Sequence, residues 1–141
     1  MRIEEKGVGE TVAGGTGVPA GPRRPARRYA DLLVWQKAHR FVLGVYAATK
    51  CFPREETFGL TSQLRRAAVS VAANIAEGFR KRTRPEKAWF MNVAQASADE
   101  CSYHLMLACD LGYADTAPLQ AQLDEVCRLL NAYCAALRRE R

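Results

Sequence analysis

From Asp31 onward, apolar residues recur at the three- and four-residue steps of an amphipathic helix, with no strand-like alternation between them. The first run predicts a helix from about Leu32 to Cys51, with Asp31 as N-cap and Pro53 beyond its end. Leu32, Trp35, His39, Val42, Tyr46 and Thr49 share one of its faces. A second helix is predicted from Thr57 or Leu60 to Arg82, with Leu64, Ala68, Val71, Ile75 and Phe79 as its main stripe. Thr83, Arg84, Pro85 and Glu86 then have the form of a capping box with a first-turn proline. They open a third helix from about Arg84 to Leu111, which Gly112 stops. Its stripe is Trp89, Phe90, Val93, Ser97, Glu100, His104, Leu107 and Leu111. Asp115 or Thr116 caps a fourth helix that runs to about Arg139, lined by Leu119, Leu123, Val126, Cys127, Leu130, Cys134 and Leu137. Four long amphipathic helices with short connections predict an all-α fold, an antiparallel up-down four-helix bundle over residues 30–141.

Residues 1–29 have a different texture. Six glycines and three prolines between Gly7 and Pro25 oppose regular structure, which predicts a disordered tail ending in Arg23, Arg24, Arg27 and Arg28. Composition favours a solvated tail over an arm that wraps a phosphate backbone. The 141 residues suit one domain, and 21 basic against 15 acidic residues give a net charge of +6. That balance favours acidic partners such as nucleic acid, without bearing on the fold. Five cysteines without a C-x-x-C pair do not make a disulfide framework. They read as small buried hydrophobes, since most lie on apolar stripes, with Cys127 and Cys134 seven apart on one face. With no signal-like or membrane-spanning apolar run, a cytoplasmic protein is expected.

The second helix also carries Val69, Ala73 and Ala76 on a separate flank. Small residues on a second face let another helix approach. One reading is a homo-oligomer that buries this flank, or its counterpart Ala94, Ala98, Cys101 and Leu105 on the third helix. The other is a helix rich in alanine because alanine is the best helix former.

Candidate chemistry is concentrated in one cluster. Arg65, Arg66, Arg80, Lys81, Arg82, Arg84 and Lys87 are opposed within their span only by Glu77 and Glu86. Those from Arg80 to Lys87 surround the join of helices two and three, so one end of the bundle should be positive. Phosphates reward such clusters because each contact releases condensed counterions. A solvated helix terminus that complements the macrodipole is the plainer reading. No aromatic residue is interleaved with these arginines, so base stacking is not expected. Asn74, Glu77, Ser97, Glu100 and His104 form a second, polar group on otherwise apolar faces. Glu77 should pair with an arginine of a neighbouring helix or subunit. Glu100 should accept a hydrogen bond from His104, His39, Trp35 or a tyrosine. Bundle di-metal sites use Glu-x-x-His on two helices. One pair at a different spacing therefore predicts a core hydrogen-bond network, with no metal and no cofactor. Without a phosphate-binding glycine loop or a nucleophile motif, no catalytic residue is assigned and no enzyme is expected.

The segments Asp31-Leu-Leu-Val-Trp-Gln-Lys-Ala38, Phe58-Gly-Leu-Thr-Ser-Gln-Leu-Arg-Arg-Ala-Ala68 and Asn74-Ile-Ala-Glu-Gly78 resemble the bacterial 23S rRNA intervening-sequence protein family. So do Ala94-Gln-Ala-Ser97 and Glu100. The resemblance runs from Tyr29 to the C-terminus. It departs at Ala96, where the family usually has glycine, and a looser helix contact is expected there. The resemblance implies a small bundle that assembles as a pentamer and has no enzymatic activity. It further implies kinship of architecture with the accessory protein of diversity-generating retroelements, which contacts a reverse transcriptase and nucleic acid. Two functions follow as expectations. One is a homo-oligomeric bundle that contacts RNA or DNA. The other is a protein-interaction scaffold, for example the partner of a reverse transcriptase.

Overall fold

A computed structural model describes residues 25–139. The expected disordered tail therefore lies, up to residue 24, outside the described residues. A short 3-10 turn, Tyr29–Asp31, leads into α1 (Leu33–Thr49), and a second turn, Arg54–Glu56, leads into α2 (Leu60–Arg80). α3 (Arg84–Asp110) and α4 (Ala117–Arg139) follow, and no strand occurs among the described residues. Each helix packs on the next, and α1 closes the ring against α4. Cross-helix contacts fix the directions. The end of α1 meets the start of α2 through Thr49 and Arg65. The end of α2 meets the start of α3 at Gly78 and Met91, and Lys37 of α1 pairs with Glu125 of α4 at 3.3 Å. This is the up-down-up-down bundle expected.

The helix ends follow local chemistry. Thr83 accepts from the Glu86 amide at 3.3 Å, so it caps α3 as expected. The Glu86 carboxylate takes the Thr83 hydroxyl at 3.0 Å, which is not the return bond to the backbone amide that a capping box has. Gly112 has φ +77°, and the bonds from Gly112 N to Cys109 O and from Tyr113 N to Ala108 O close a Schellman motif. Asp115 accepts from the Ala117 amide at 3.0 Å, and the buried Thr116 hydroxyl bonds to the Leu105 carbonyl. Asp31 departs from expectation. Its carboxylate receives the Arg27 and Arg28 amides and so closes the turn before α1, while Leu32 takes the cap position.

The core is built around Phe41, Leu64, Ile75, Met91, Leu105, Leu123 and Leu130, all fully buried. Burial of each such side chain contributes about 1.5–3 kcal/mol. The stripes of α2 and α4 lie where the pattern puts them, with Phe79 and Cys127 half-buried at the margins. Those of α1 and α3 are rotated. α1 buries Val34, Ala38, Phe41 and Val45, so Trp35, His39 and Tyr46 stand beside the core. α3 buries Met91, Ala94, Ala98, Cys101 and Leu105, so Trp89 and Leu111 face solvent. Both helices are apolar over more than half their circumference. Tight α2–α3 packing then selects the small side chains for the interior rather than the large ones. The flank Ala94, Ala98, Cys101 and Leu105 is thus core of this chain, not a face for another subunit. Ala96 lies on the solvent side, so its side chain loosens no helix contact within the bundle.

Candidate nucleic-acid interface

The seven cationic residues singled out in the sequence divide into two groups. Arg65 is committed within the bundle. Its Nε donates to the Thr49 hydroxyl at 2.8 Å, its terminal nitrogen reaches the Tyr46 carbonyl at 3.4 Å, and its guanidinium lies 4.7 Å over the Tyr46 ring. The Thr49 hydroxyl in turn donates to the Val45 carbonyl, so Arg65 clamps the last turn of α1 to α2. Lys87 is also engaged. Its ammonium donates to the Phe79 carbonyl at 2.6 Å and sits 5.2 Å over the Phe79 ring, so it caps the last turn of α2.

Lys81 rests 5.0 Å over the Phe90 ring, with its charge at the surface. Arg66, Arg80, Arg82 and Arg84 are exposed, and none forms an ion pair or hydrogen bond with a described residue. Arg66 stands apart from the other three. Fourteen positions separate it from Arg80, which is about 21 Å along the helix. It lines a polar groove of about 370 Å³ with Gln63, Ser70, Ser97 and Glu100.

The topology adds cations that sequence proximity hides. Gln95 of α3 donates to Asn131 of α4 at 2.6 Å. On that antiparallel register Arg138 stands level with Ala88, one turn into α3. The Ser70–Ser97 contact and the approach of Gly78 to Met91 put Arg80 at the same height. The segment entering α1 reaches this end too, with exposed Arg27 and Arg28. One end of the bundle therefore gathers Arg27, Arg28, Arg80, Lys81, Arg82, Arg84, Arg138 and Arg139 against Asp31, Glu77 and Glu86. The far end carries Glu55, Glu56, Asp110 and Asp115 against Lys50 and Arg54. Arg138 and Arg139 were missed because they lie about fifty residues along the sequence from Lys87. Only an up-down helix order, read together with charge, brings them in.

The polar group meets expectation in the Glu100–His104 contact and departs from it elsewhere. The Ser70 and Ser97 hydroxyls meet at 2.7 Å, and Asn74 donates to the Ser70 carbonyl and hydroxyl, so a hydroxyl–amide network links α2 to α3. His104 is buried and pairs with Glu100 at 3.1 Å, while its Nδ1 has no hydrogen-bond partner. Glu100 itself is exposed. His39 stacks on Trp35 at 5.1 Å, away from this pair. Glu77 is exposed and makes no ion pair with a described residue, so the expected pairing with a neighbouring helix is not formed. Among the described residues, no three His, Cys, Asp or Glu side chains stand together as a metal site would need. Burial pushes the Cys101 thiol up to about 12 and also raises Cys127 and Cys134, while Cys51 and Cys109 are exposed.

A second surface feature is apolar. Val42, Val69, Ala72, Ala73 and Ala76 floor a groove of about 480 Å³ between α1 and α2, walled by Tyr29, Trp35, His39 and Glu77. The displaced aromatic stripe of α1 and the small-residue flank of α2 thus face each other across one cleft.

Fold and surface together define a class: an all-α, up-down bundle with one arginine-rich end. The chain belongs to the 23S rRNA-intervening sequence protein family, whose model matches residues 30–132. It is similar in fold to a crystallised protein with unknown function of the S23 ribosomal protein family from Bacteroides thetaiotaomicron VPI-5482. The two share 21% identity at a TM-score of 0.65, over 73% of this chain and 96% of that one. Comparison with curated proteins finds no match. No helix among the described residues is long and apolar enough to cross a membrane.

Proposed function

We propose that this protein is a non-enzymatic, self-associating bundle that binds the phosphate backbone of RNA or DNA through its arginine-rich end. The observation that carries the reading is the convergence of Arg80, Arg82, Arg84, Arg138 and Arg139, all exposed, from three segments onto one end of the bundle. Clustered guanidinium groups match phosphate oxygens bidentately, and at this end they add to a field that steers a polyanion. Arg65 and Lys87 hold the scaffold under this surface rather than touching the ligand. Arg66 is set apart as a separate contact.

Self-association is proposed through the apolar groove between α1 and α2, where Val69 and Ala73 are exposed in the single protomer. The same groove favours a second reading, an accessory role in which the bundle docks on a nucleic-acid enzyme such as a reverse transcriptase. Free thiols on all five cysteines suit a cytoplasmic setting.

The test is fluorescence anisotropy of labelled structured RNA and duplex DNA against the wild type, Arg80→Gln with Arg84→Gln, and Arg65→Gln. Affinity should fall several-fold for the double variant and hold for Arg65→Gln wherever that variant is folded by circular dichroism. Equal loss in both would overturn the assignment of the end. Sedimentation of Val69→Asp should show smaller species than the wild type, and an unchanged profile would remove the groove from the self-association proposal.

A further inference from the structure

The α3 stripe placed Trp89 in the core, but its side chain stands 60% exposed at the arginine-rich end. An exposed indole forgoes a large hydrophobic gain, and single bundles have ample room to bury one. Trp89 lies one position beyond the level shared by Arg80 and Arg138. It is connected to the cationic loop through rings: Lys81 sits 5.0 Å over Phe90, and Phe90 packs on Trp89 at 5.0 Å and 80°. In that edge-to-face arrangement at least one face of the indole stays open.

We infer that the arginine-rich end takes unpaired nucleic acid, with one base stacked on the open face of Trp89 and the flanking phosphates held by Arg82, Arg84 and Arg138. The inference rests on the phosphate-binding reading and narrows it. A duplex presents phosphates equally well, yet its π-faces are closed by its own stacking. A base reaches an exposed ring only from a single strand, a loop or an end. Stacking on one indole is tolerant of sequence, so the binding should be too. No aromatic residue is interleaved with the arginines in the sequence, and the proposed stack departs from that reading on the exposure of Trp89. The ring arrives from the next turn of α3 rather than from between the basic positions.

The experiment titrates the protein with oligo-U RNA and oligo-dT DNA of about 12 nucleotides and with a duplex of the same length, at low and moderate salt. Anisotropy gives affinity, and quenching of tryptophan emission reports a base on the indole. Wild type, Trp89→Leu, Trp89→Phe and an Arg82→Gln, Arg84→Gln double variant are compared. Trp89 is exposed, so its variants should fold, and circular dichroism checks this. The single strands should quench emission. Trp89→Leu should weaken them roughly tenfold, the effect of one stacked base, with duplex affinity and salt slope unchanged. Trp89→Phe should recover most of the loss. RNA binding tighter than DNA, or the reverse, assigns the sugar and leaves the stacking intact.

Equal binding of single strands by Trp89→Leu and wild type overturns the inference. So does a Trp89→Leu protein that sediments as a smaller species, since a second copy of the protein would then cover the ring. If single strand and duplex bind alike and only the arginine variant loses affinity and slope, the stacking falls while the phosphate reading stands. If nothing binds at low salt, both fall.

Discussion

Gly78→Ala sets two effects of opposite sign against each other at the tightest point of the bundle. In the middle of an exposed helix, replacing glycine by alanine stabilises by about 0.8–1 kcal/mol through helix propensity. At position 78 the added Cβ would lie 2.4 Å from the Met91 Cε, 2.8 Å from the Phe90 Cβ and 3.5 Å from the Lys87 carbonyl oxygen. The Met91 methyl can swing, but Met91 is fully buried among core side chains and has little room. The Phe90 Cβ is fixed to the α3 backbone, so relief requires α3 to shift away from α2. Overpacking of this kind costs about 1–3 kcal/mol. With the Phe90 Cβ fixed, the cost falls in the upper part of that range and the clash wins. The net loss should be about 1 kcal/mol and at most about 2, or roughly 3–8 °C in Tm for a domain of this size. Urea unfolding followed by circular dichroism, at one fixed protein concentration for all variants, should show a lower midpoint with an unchanged slope. Gly44→Ala is the control. There the new Cβ meets only side-chain ends, the Leu119 Cδ2 at 2.9 Å and the Gln122 Oε1 at 3.1 Å, and the effect should be smaller. A Gly78→Ala protein as stable as the wild type would refute the claim that this glycine sets the α2–α3 distance.

Three other perturbations follow from the same contacts. Arg65→Lys keeps the charge but loses the planar contact with Thr49 and Tyr46, so it should lower stability by about 1 kcal/mol in a denaturant melt while leaving nucleic-acid affinity unchanged. The Leu60 amide, and then the Tyr113 hydroxyl, hold the Glu56 carboxyl below its ordinary range. That stabilisation is present above the ordinary glutamate pKa and is lost as pH falls through the lowered one. Tyr113→Phe should therefore narrow the stability gap between neutral pH and pH below about 4, read from Tm against pH. With a thiol-specific reagent, the exposed Cys51 and Cys109 should react first in the native protein, and Cys101 and Cys134 only at the rate of unfolding. Fast reaction at Cys101 would contradict its burial.

How much was legible in the sequence depended on the helix. α4 has one apolar stripe bordered by polar residues, and on α2 the large side chains Leu64, Val71 and Ile75 all fall on one stripe apart from the small-residue flank. The 3.6-residue period therefore identified their buried faces. α1 and α3 are apolar on two adjacent faces. Reading the larger side chains as core turned both by about a quarter turn, because close packing against α2 favours Ala94, Ala98 and Ala38 inside. Caps were legible wherever a short polar side chain or a glycine had a local partner, as at Thr83 and Gly112. The candidate site was half legible. The arginines around the α2–α3 join could be counted, but Arg65 and Lys87 were spent on contacts sixteen and eight residues away. Arg138 joined the cluster only through helix order, and Trp89 became available only because α3 is rotated.

The central claim is that the arginine-rich end meets phosphates, and the salt dependence of binding tests it most directly. Affinity for an unpaired RNA oligomer should be measured from about 50 to 300 mM salt, for the wild type and for a variant with Arg80, Arg82, Arg84 and Arg138 changed to Gln. With four phosphate contacts, log K should fall against log salt with a slope of about −3, and the variant should lose affinity and most of that slope. A variant that matches the wild type in both affinity and slope would contradict the account.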